Sequence, residues 1–262
     1  TQGLFSNIGG VATLVGDPPN IMISSAGGLH YIDYIYNLAP SVLICTMVTV
    51  IVFKFVFSEK SKEEDKKIHK EALRDILDRR ATKEISDWSL LAKSLSGLGL
   101  IIVLFILHSV ITITPATVAL TGAAFILIMT RPDMDELLER VEWSTLLFFA
   151  GLFIVVHGVV ETGLLTKIAQ GVLHLTSGSL LFSALTILFL TAIGSGLVDN
   201  IPFTAAMLPI VGTLSTQLTG ESNILWWALA FGAGFGGNAT YIGSSANVMI
   251  VKISEDHEEP IK

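Results

Sequence analysis

The sequence predicts an all-α protein that crosses a bilayer several times and whose two halves form an inverted repeat. Three observations point there. First, 51% of the residues are hydrophobic, 15% are charged and the mean hydropathy is +0.67, whereas a soluble domain carries about 25% charged residues. Second, Ser41–Phe57, Leu95–Thr114, Pro115–Thr130 and Trp143–Val160 hold few or no charges, and about 20 apolar residues in a helix cross a bilayer. Third, one unusual segment is written twice: residues 7–23 read NIGGVATLVGDPPNIMI and residues 234–250 read GFGGNATYIGSSANVMI. At an offset of 227 they share Gly9/Gly236, Gly10/Gly237, Ala12/Ala239, Thr13/Thr240, Gly16/Gly243, Asn20/Asn247, Met22/Met249 and Ile23/Ile250. Average residue usage would give roughly one identity. Both copies set glycines, small polar residues and an Asn inside apolar stretches. In lipid, such broken backbone survives only where protein or a water-filled cavity surrounds it.

The elements follow in order. The broken segment 5–27 runs outward and Ser41–Phe57 returns. Residues 58–93 carry ten of the sixteen Lys and Arg with nine acids interspersed, which reads as a solvated helical linker and not as a nucleic-acid patch. A short Lys/Arg-rich loop belongs in the cytoplasm. Leu95–Thr114 goes out, Pro115–Thr130 comes back, and Arg131 and Arg140 mark a second cytoplasmic loop. Trp143–Val160 goes out again, and Thr162–Leu175 reads as a helix along the outer interface. Leu180–Leu218 is two apolar arms around the polar turn from Gly194 to Pro202. It reads as a re-entrant hairpin, with two full spans as the alternative. In either case the second broken segment, 224–253, runs inward, opposite to the first. The organisation expected is 1–57, the end of a first repeat; 58–93, the linker; and 94–262, a second repeat without its last helix. The opening TQGLF has no basic n-region, so no signal peptide is expected. The lone Cys45 excludes an internal disulfide.

Paired broken segments in two halves of a chain are the sequence signature of a secondary transporter's binding site. GGVATLVGDPPN, WSTLLFFAGLFIV, VDNIPFTAAMLPIV and GGNATYIGSSANV resemble the ion transporter superfamily. Its nearest branch holds arsenite permeases, NhaD-type sodium–proton antiporters, the melanosomal P protein and citrate-transporter-like domains. The resemblance covers the chain apart from the linker. It implies that each repeat contains a re-entrant hairpin and a helix unwound at its middle, and that these hold substrate and coupling cation. Matched motif by motif, it implies a second-half site at Asp199, Asn200, Pro202 and Thr204 of the tip, with Asn238, Thr240, Gly243, Ser244, Ser245 and Asn247 of the break. The first break would add Gly9, Gly10, Thr13, Gly16, Asp17, Pro18, Pro19 and Asn20, and Gly236 and Gly237 repeat its glycine pair. At the same offset the mate of the Asp199 tip falls before residue 1 and the mate of Ser41–Phe57 falls past Lys262. The chain is therefore expected to be a piece of a longer protein.

The chemistry of these residue types suits ions. Ends of an interrupted helix present free N–H groups on one side and free carbonyls on the other, so oxyanions suit the first and Na⁺ the second. Pro18-Pro19 removes two donors and stops the preceding helix. Asn, Ser and Thr offer neutral oxygens, while small residues can also serve only for close helix packing. Asp17 and Asp199 are ionisable groups at membrane depth, where such groups are by default functional; for Asp17 the alternative is a helix N-cap. His108, His157 and Glu161 read as packing or interfacial residues, and Trp143, Trp226 and Trp227 as interfacial anchors. Cys/His metal spacing, a G-x-S-x-G elbow and a Walker loop are absent from the sequence, so neither an enzyme nor an ATP-driven pump is expected. The expectation is a multi-pass protein of a prokaryotic inner membrane that moves a small inorganic ion or anion. It would need no cofactor, coupling instead to H⁺ or Na⁺, with no metal beyond transient Na⁺. Alternatives are a dicarboxylate or citrate carrier of the same fold and, from another class, an ion channel. Its partners are the bilayer and the transported ion; a homodimer and an associated ATPase are both compatible with the chain.

Overall fold

The computed structural model describes residues 2–57, 87–111, 113–218 and 223–256. Most of the charged linker lies outside them. The described residues form thirteen helices and no strand: α1 (Gln2–Gly10), α2 (Pro18–Gly27), α3 (Tyr31–Asn37), α4 (Ala39–Phe57), α5 (Trp88–Ile111), α6 (Pro115–Thr130), α7 (Met134–Glu139), α8 (Trp143–Glu161), α9 (Leu164–Leu175), α10 (Leu180–Leu197), α11 (Asn200–Gln217), α12 (Asn223–Gly236) and α13 (Ser245–Asp256). Four stretches are long and apolar enough to cross a membrane: Ala39–Val56, Trp88–His108, Trp143–Glu161 and Leu180–Leu197. Pro115–Thr130 is a shorter apolar helix. The all-α, multi-span class read from the sequence is the class observed. The helices group into two compact units, Thr1–Leu43 with Val141–Lys262, and Ile44–Arg140.

In the larger unit, α12 is the central helix. It packs along α10 and also against α11, α2 and α1. Glycines let the backbones close: a Cβ on Gly232 would stand 2.7 Å from the Leu188 carbonyl, and one on Gly236 2.7 Å from Ala192 Cα. This is the small-residue contact that membrane helices use for close approach. Leu225, Leu229 and Ala233 of α12 are fully buried, as are Val11, Leu14, Ile23 and Tyr34. Trp226 departs from the expected interfacial anchor, because it is only 5% exposed and lies against Gly27. Trp227 meets Tyr34 edge-on, with ring centroids 5.1 Å apart. A tryptophan opposite a glycine fills the space that the missing side chain leaves, and so becomes core.

The interfacial helix expected at 162–175 is α9, entered through Gly163 in the left-handed region (φ 72°). Its Leu165, Ala169 and Val172 are buried on one face. The preceding α8 buries no residue. The hairpin read at 180–218 is α10 and α11, which pack on each other; Val198, between them, is extended. Each arm has 18 residues, about 27 Å of helix. By length alone α10 can cross a bilayer, so length does not separate a re-entrant hairpin from two spans. His108 is buried, with Nδ1 2.7 Å from the Phe105 carbonyl. His157 and Glu161 form an exposed i,i+4 pair at 3.8 Å.

The smaller unit pairs α5 with α6. The contact is reciprocal: Gly97 lies against Ile126, and Gly122 against Ile101. Thr114 caps α6 by accepting from the Thr117 N–H at 3.2 Å, and Pro115 holds the first helical position, where its missing N–H costs nothing. Arg131 closes α6 with φ 48°.

Candidate functional site

Both copies of the repeated segment are interrupted helices, and the two interruptions are built alike. The first lies between α1 and α2, and the second between α12 and α13. Asn20 Nδ2 donates to the carbonyls of Gly10 (3.1 Å) and Thr13 (2.8 Å). Its mate Asn247 donates to those of Gly237 (2.8 Å) and Thr240 (3.0 Å). The backbone turns match as well. Ala12 N to Gly9 O, Gly16 N to Thr13 O and Asn20 N to Asp17 O recur as Ala239 to Gly236, Gly243 to Thr240 and Asn247 to Ser244. A Cβ on Gly10 would stand 2.9 Å from the Gly16 carbonyl oxygen, and one on Gly237 2.9 Å from that of Gly243. Only glycine lets the chain double back this tightly. Each Asn thus satisfies carbonyls that the end of a helix leaves orphaned, and staples the loop to the helix that follows. The two copies also run in opposite directions: Gly3 lies against Asn247 and Ile250, whereas Val11, further along the first copy, lies against Gly234, earlier in the second.

The hairpin tip reaches both breaks through one residue. Asn200, 2% exposed, donates its Nδ2 to Asp17 Oδ2 at 3.0 Å. Its backbone N–H donates to the Gly243 carbonyl at 3.2 Å. Thr240 Oγ1 returns the connection by donating to the Gly196 carbonyl at 2.6 Å, and Ser195 Oγ donates to the Ala233 carbonyl at 2.7 Å. The two acids behave differently. Asp199 caps α11, accepting from the Ile201 N–H at 2.9 Å. Asp17 occupies the N-cap position of α2 but makes no side-chain cap bond; its carboxylate faces the hairpin tip instead. Both acids flank Asn200, Asp17 as the acceptor of its side chain and Asp199 as the residue before it.

Two buried oxygens without a partner lie on α11 at this junction, and a third lies on α10 against Gly232. Asn200 Oδ1, Thr204 Oγ1 and Thr191 Oγ1 have no hydrogen-bond partner among the described residues. Asn200 and Thr204 lie one turn apart on α11, so they share a face. Among the described residues no cluster of three His, Cys, Asp or Glu could hold a metal ion. Neutral oxygens and two carboxylates make up the donor set, and among the described residues no Lys or Arg takes part.

Not every residue singled out in the sequence joins this arrangement. Ser245 opens α13 on an exposed position, Gly9 faces open space, and Pro18 is exposed while Pro19 is buried. Pro202 sits in the first turn of α11. Gly16 is exposed and Thr13 and Asn238 are half-buried. Asn238 and Asn247, with Gly3, Leu4, Thr240 and Ile250, line a cleft of about 290 Å³ between α1 and the second break.

One residue was missed. Asn7, 5% exposed, directs its Nδ2 at three side-chain oxygens of the second break: Asn238 Oδ1 and Ser244 Oγ at 2.9 Å, and Asn247 Oδ1 at 3.3 Å. Its mate in the repeat is Gly234, so a search for shared residues passes over it. An Asn in an otherwise apolar run was the available signal.

The sequence profile of the CitMHS family, described as Citrate transporter, matches residues 2–232. An uncharacterized transporter of Mycobacterium tuberculosis is 41% identical over 258 residues, covering 98% of this chain and 59% of that protein. The 46 kDa membrane protein of Mycobacterium leprae is 39% identical over the same shares. The human P protein is 30% identical over 328 residues, covering 97% of this chain and 39% of its own length. The chain thus spans 59% of the length of the mycobacterial relatives it matches. Facing broken helices, apolar spans and a match over nearly the whole chain converge on one assignment: the chain belongs to the CitMHS citrate transporter family of integral membrane transporters.

Proposed function

We propose that this chain forms the ion- and substrate-binding part of a secondary active transporter that moves a small anion together with H⁺ or Na⁺. The observation that carries this reading is Asn200, whose side chain holds the Asp17 carboxylate while its N–H holds the Gly243 carbonyl. One hairpin tip therefore ties together the two helix breaks. Asp17, Asp199, Asn200 Oδ1 and Thr204 Oγ1 supply hard oxygen ligands for a cation, or a carboxylate to carry a proton. Thr13 and Asn20 on one side, and Asn238, Thr240, Ser244 and Asn247 on the other, complete the candidate site. With no basic side chain in the set, an anion would be balanced by the co-bound cation and by N–H groups at the helix starts.

The family description supports a citrate-like carboxylate as that anion. Exchange of Na⁺ for H⁺ without an organic anion is a second reading, favoured by the two neighbouring acids. Flux into proteoliposomes of the full-length protein, with Na⁺ and pH gradients varied separately and citrate, arsenite and Na⁺ offered in turn, decides between them. Saturable uptake that follows an ion gradient supports a carrier. Ohmic current would overturn it in favour of a channel.

A further inference from the structure

Asn7 stands where four chain segments meet, and its bonding is over-subscribed. A carboxamide nitrogen has two hydrogens, yet three side-chain oxygens lie within 3.3 Å of Asn7 Nδ2. These oxygens belong to Asn238 in the break, Ser244 at its end and Asn247 on α13. We propose that Asn7 is a positioning residue for the second break: its donation fixes which end of each amide faces the cleft, and so sets the specificity of that wall. This rests on the carrier reading above.

The chain of consequences is short. Because Asn7 takes the Oδ1 of Asn247, the Nδ2 of Asn247 points at the Gly237 and Thr240 carbonyls and staples the break. Because Asn7 takes the Oδ1 of Asn238, the NH₂ of Asn238 is turned away as a donor. Asn238 and Asn247 both line the cleft. Thr240 spends its own hydrogen on the Gly196 carbonyl, so its hydroxyl presents only lone pairs. The Asn238 NH₂, with the Tyr241 hydroxyl at the rim, is then the side-chain donor that a carboxylate or other oxyanion would meet there. The first break has no counterpart of this arrangement, because Gly234 at the mate position carries no side chain. The control acts on one half of the repeat alone.

Two variants separate positioning from space-filling. Asn7→Asp keeps the volume but cannot donate when ionised, so it confronts three oxygens with two more. The Asn238 and Asn247 amides must flip, and the staple is lost. Asn7→Ala removes the donor and leaves a cavity without that confrontation. In full-length protein in proteoliposomes at alkaline pH, with citrate as the probe, Asn7→Asp is expected to raise KM about tenfold or more with kcat within about threefold. Asn7→Ala should have the smaller effect. A filler would show the reverse order, with Asp near wild type and Ala worse, and that order would overturn the proposal.

A readout independent of transport keeps the inference testable if the protein moves no citrate. In a background with Cys45 replaced, Tyr241→Cys lies in the second break at the rim of the cleft, 68% exposed in the native residue. Its rate of labelling by a membrane-impermeant maleimide reports the loop geometry. Asn7→Asp should change that rate more than Asn7→Ala does. Equal rates in all three proteins would sink the positioning role, whatever the substrate.

Discussion

Replacing Asn20 by Leu tests whether the side-chain staple holds the first break. The substitution preserves size while removing both donors. Asn20 is 1% exposed, so water cannot take over its bonds to the Gly10 and Thr13 carbonyls, at 3.1 and 2.8 Å. Each buried acceptor left unpaired costs about 1–3 kcal/mol, which puts the pair at about 2–6 kcal/mol. That is a large part of a typical net stability of about 5–15 kcal/mol. In detergent-solubilised full-length protein it should lower the melting temperature by roughly 10 °C. Asn20→Asp, measured at alkaline pH where the carboxyl is ionised, keeps the volume and loses the donors, and should do the same. Asn247→Leu removes the matching pair and the acceptor of Asn7, and should cost at least as much. If Asn20→Asp melts with wild type while Asn20→Leu does not, packing and not donation holds the break, and the reasoning fails. Dynamics enters here too: with the staple gone, the loop residues 11–17 should exchange their amide hydrogens faster than α10 or α12 does.

Three further outcomes follow from the same geometry. Asp17→Asn or Asp199→Asn should abolish or uncouple gradient-driven flux with expression nearly intact, because each removes the titratable charge while keeping size and one oxygen; normal transport by both variants at every pH and Na⁺ concentration would make them structural. Single cysteines at Ser177 and Gln217, in a background with Cys45 replaced, should react from the same side of the membrane if the α10–α11 hairpin is re-entrant, and labelling from opposite sides would show two spans. Charge-neutral scrambling of residues 60–80 should leave flux near wild type, since exposed ion pairs contribute about 0–1 kcal/mol each; a large loss of flux with normal expression would give the linker a role.

The breaks were legible because the chain states them twice. Gly10/Gly16, Gly237/Gly243 and the two Asn staples are forced by close backbone approach, and a residue type that geometry forces survives in both copies. Residues that join the copies are not forced in this way. Asn7 faces Gly234 in the repeat, so the search that found the breaks was blind to the side chain that connects α1 to the second of them. The hairpin tip was located correctly as a polar turn, yet spacing could not assign its parts: Asp199 turns back to cap its own helix, and Asn200 reaches across to Asp17. Trp226 shows the same limit. A tryptophan at the end of an apolar run reads as an anchor, and only the fold brings Gly27 beneath it.

The reciprocal seating of α5 on α6 has a mechanical consequence. Gly97 faces Ile126 and Ile101 faces Gly122, an antiparallel arrangement with large and small residues alternating on both helices. Displacing one helix by a turn, about 5.4 Å, would set Ile101 against Ile126 in one direction. In the other direction it would oppose Gly97 to Gly122 across a void and bring Lys93 onto Ile126. Neither register is packable, so the seam works as a keyed joint with one position. We therefore expect α5 and α6 to move as one strut and not to slide past each other.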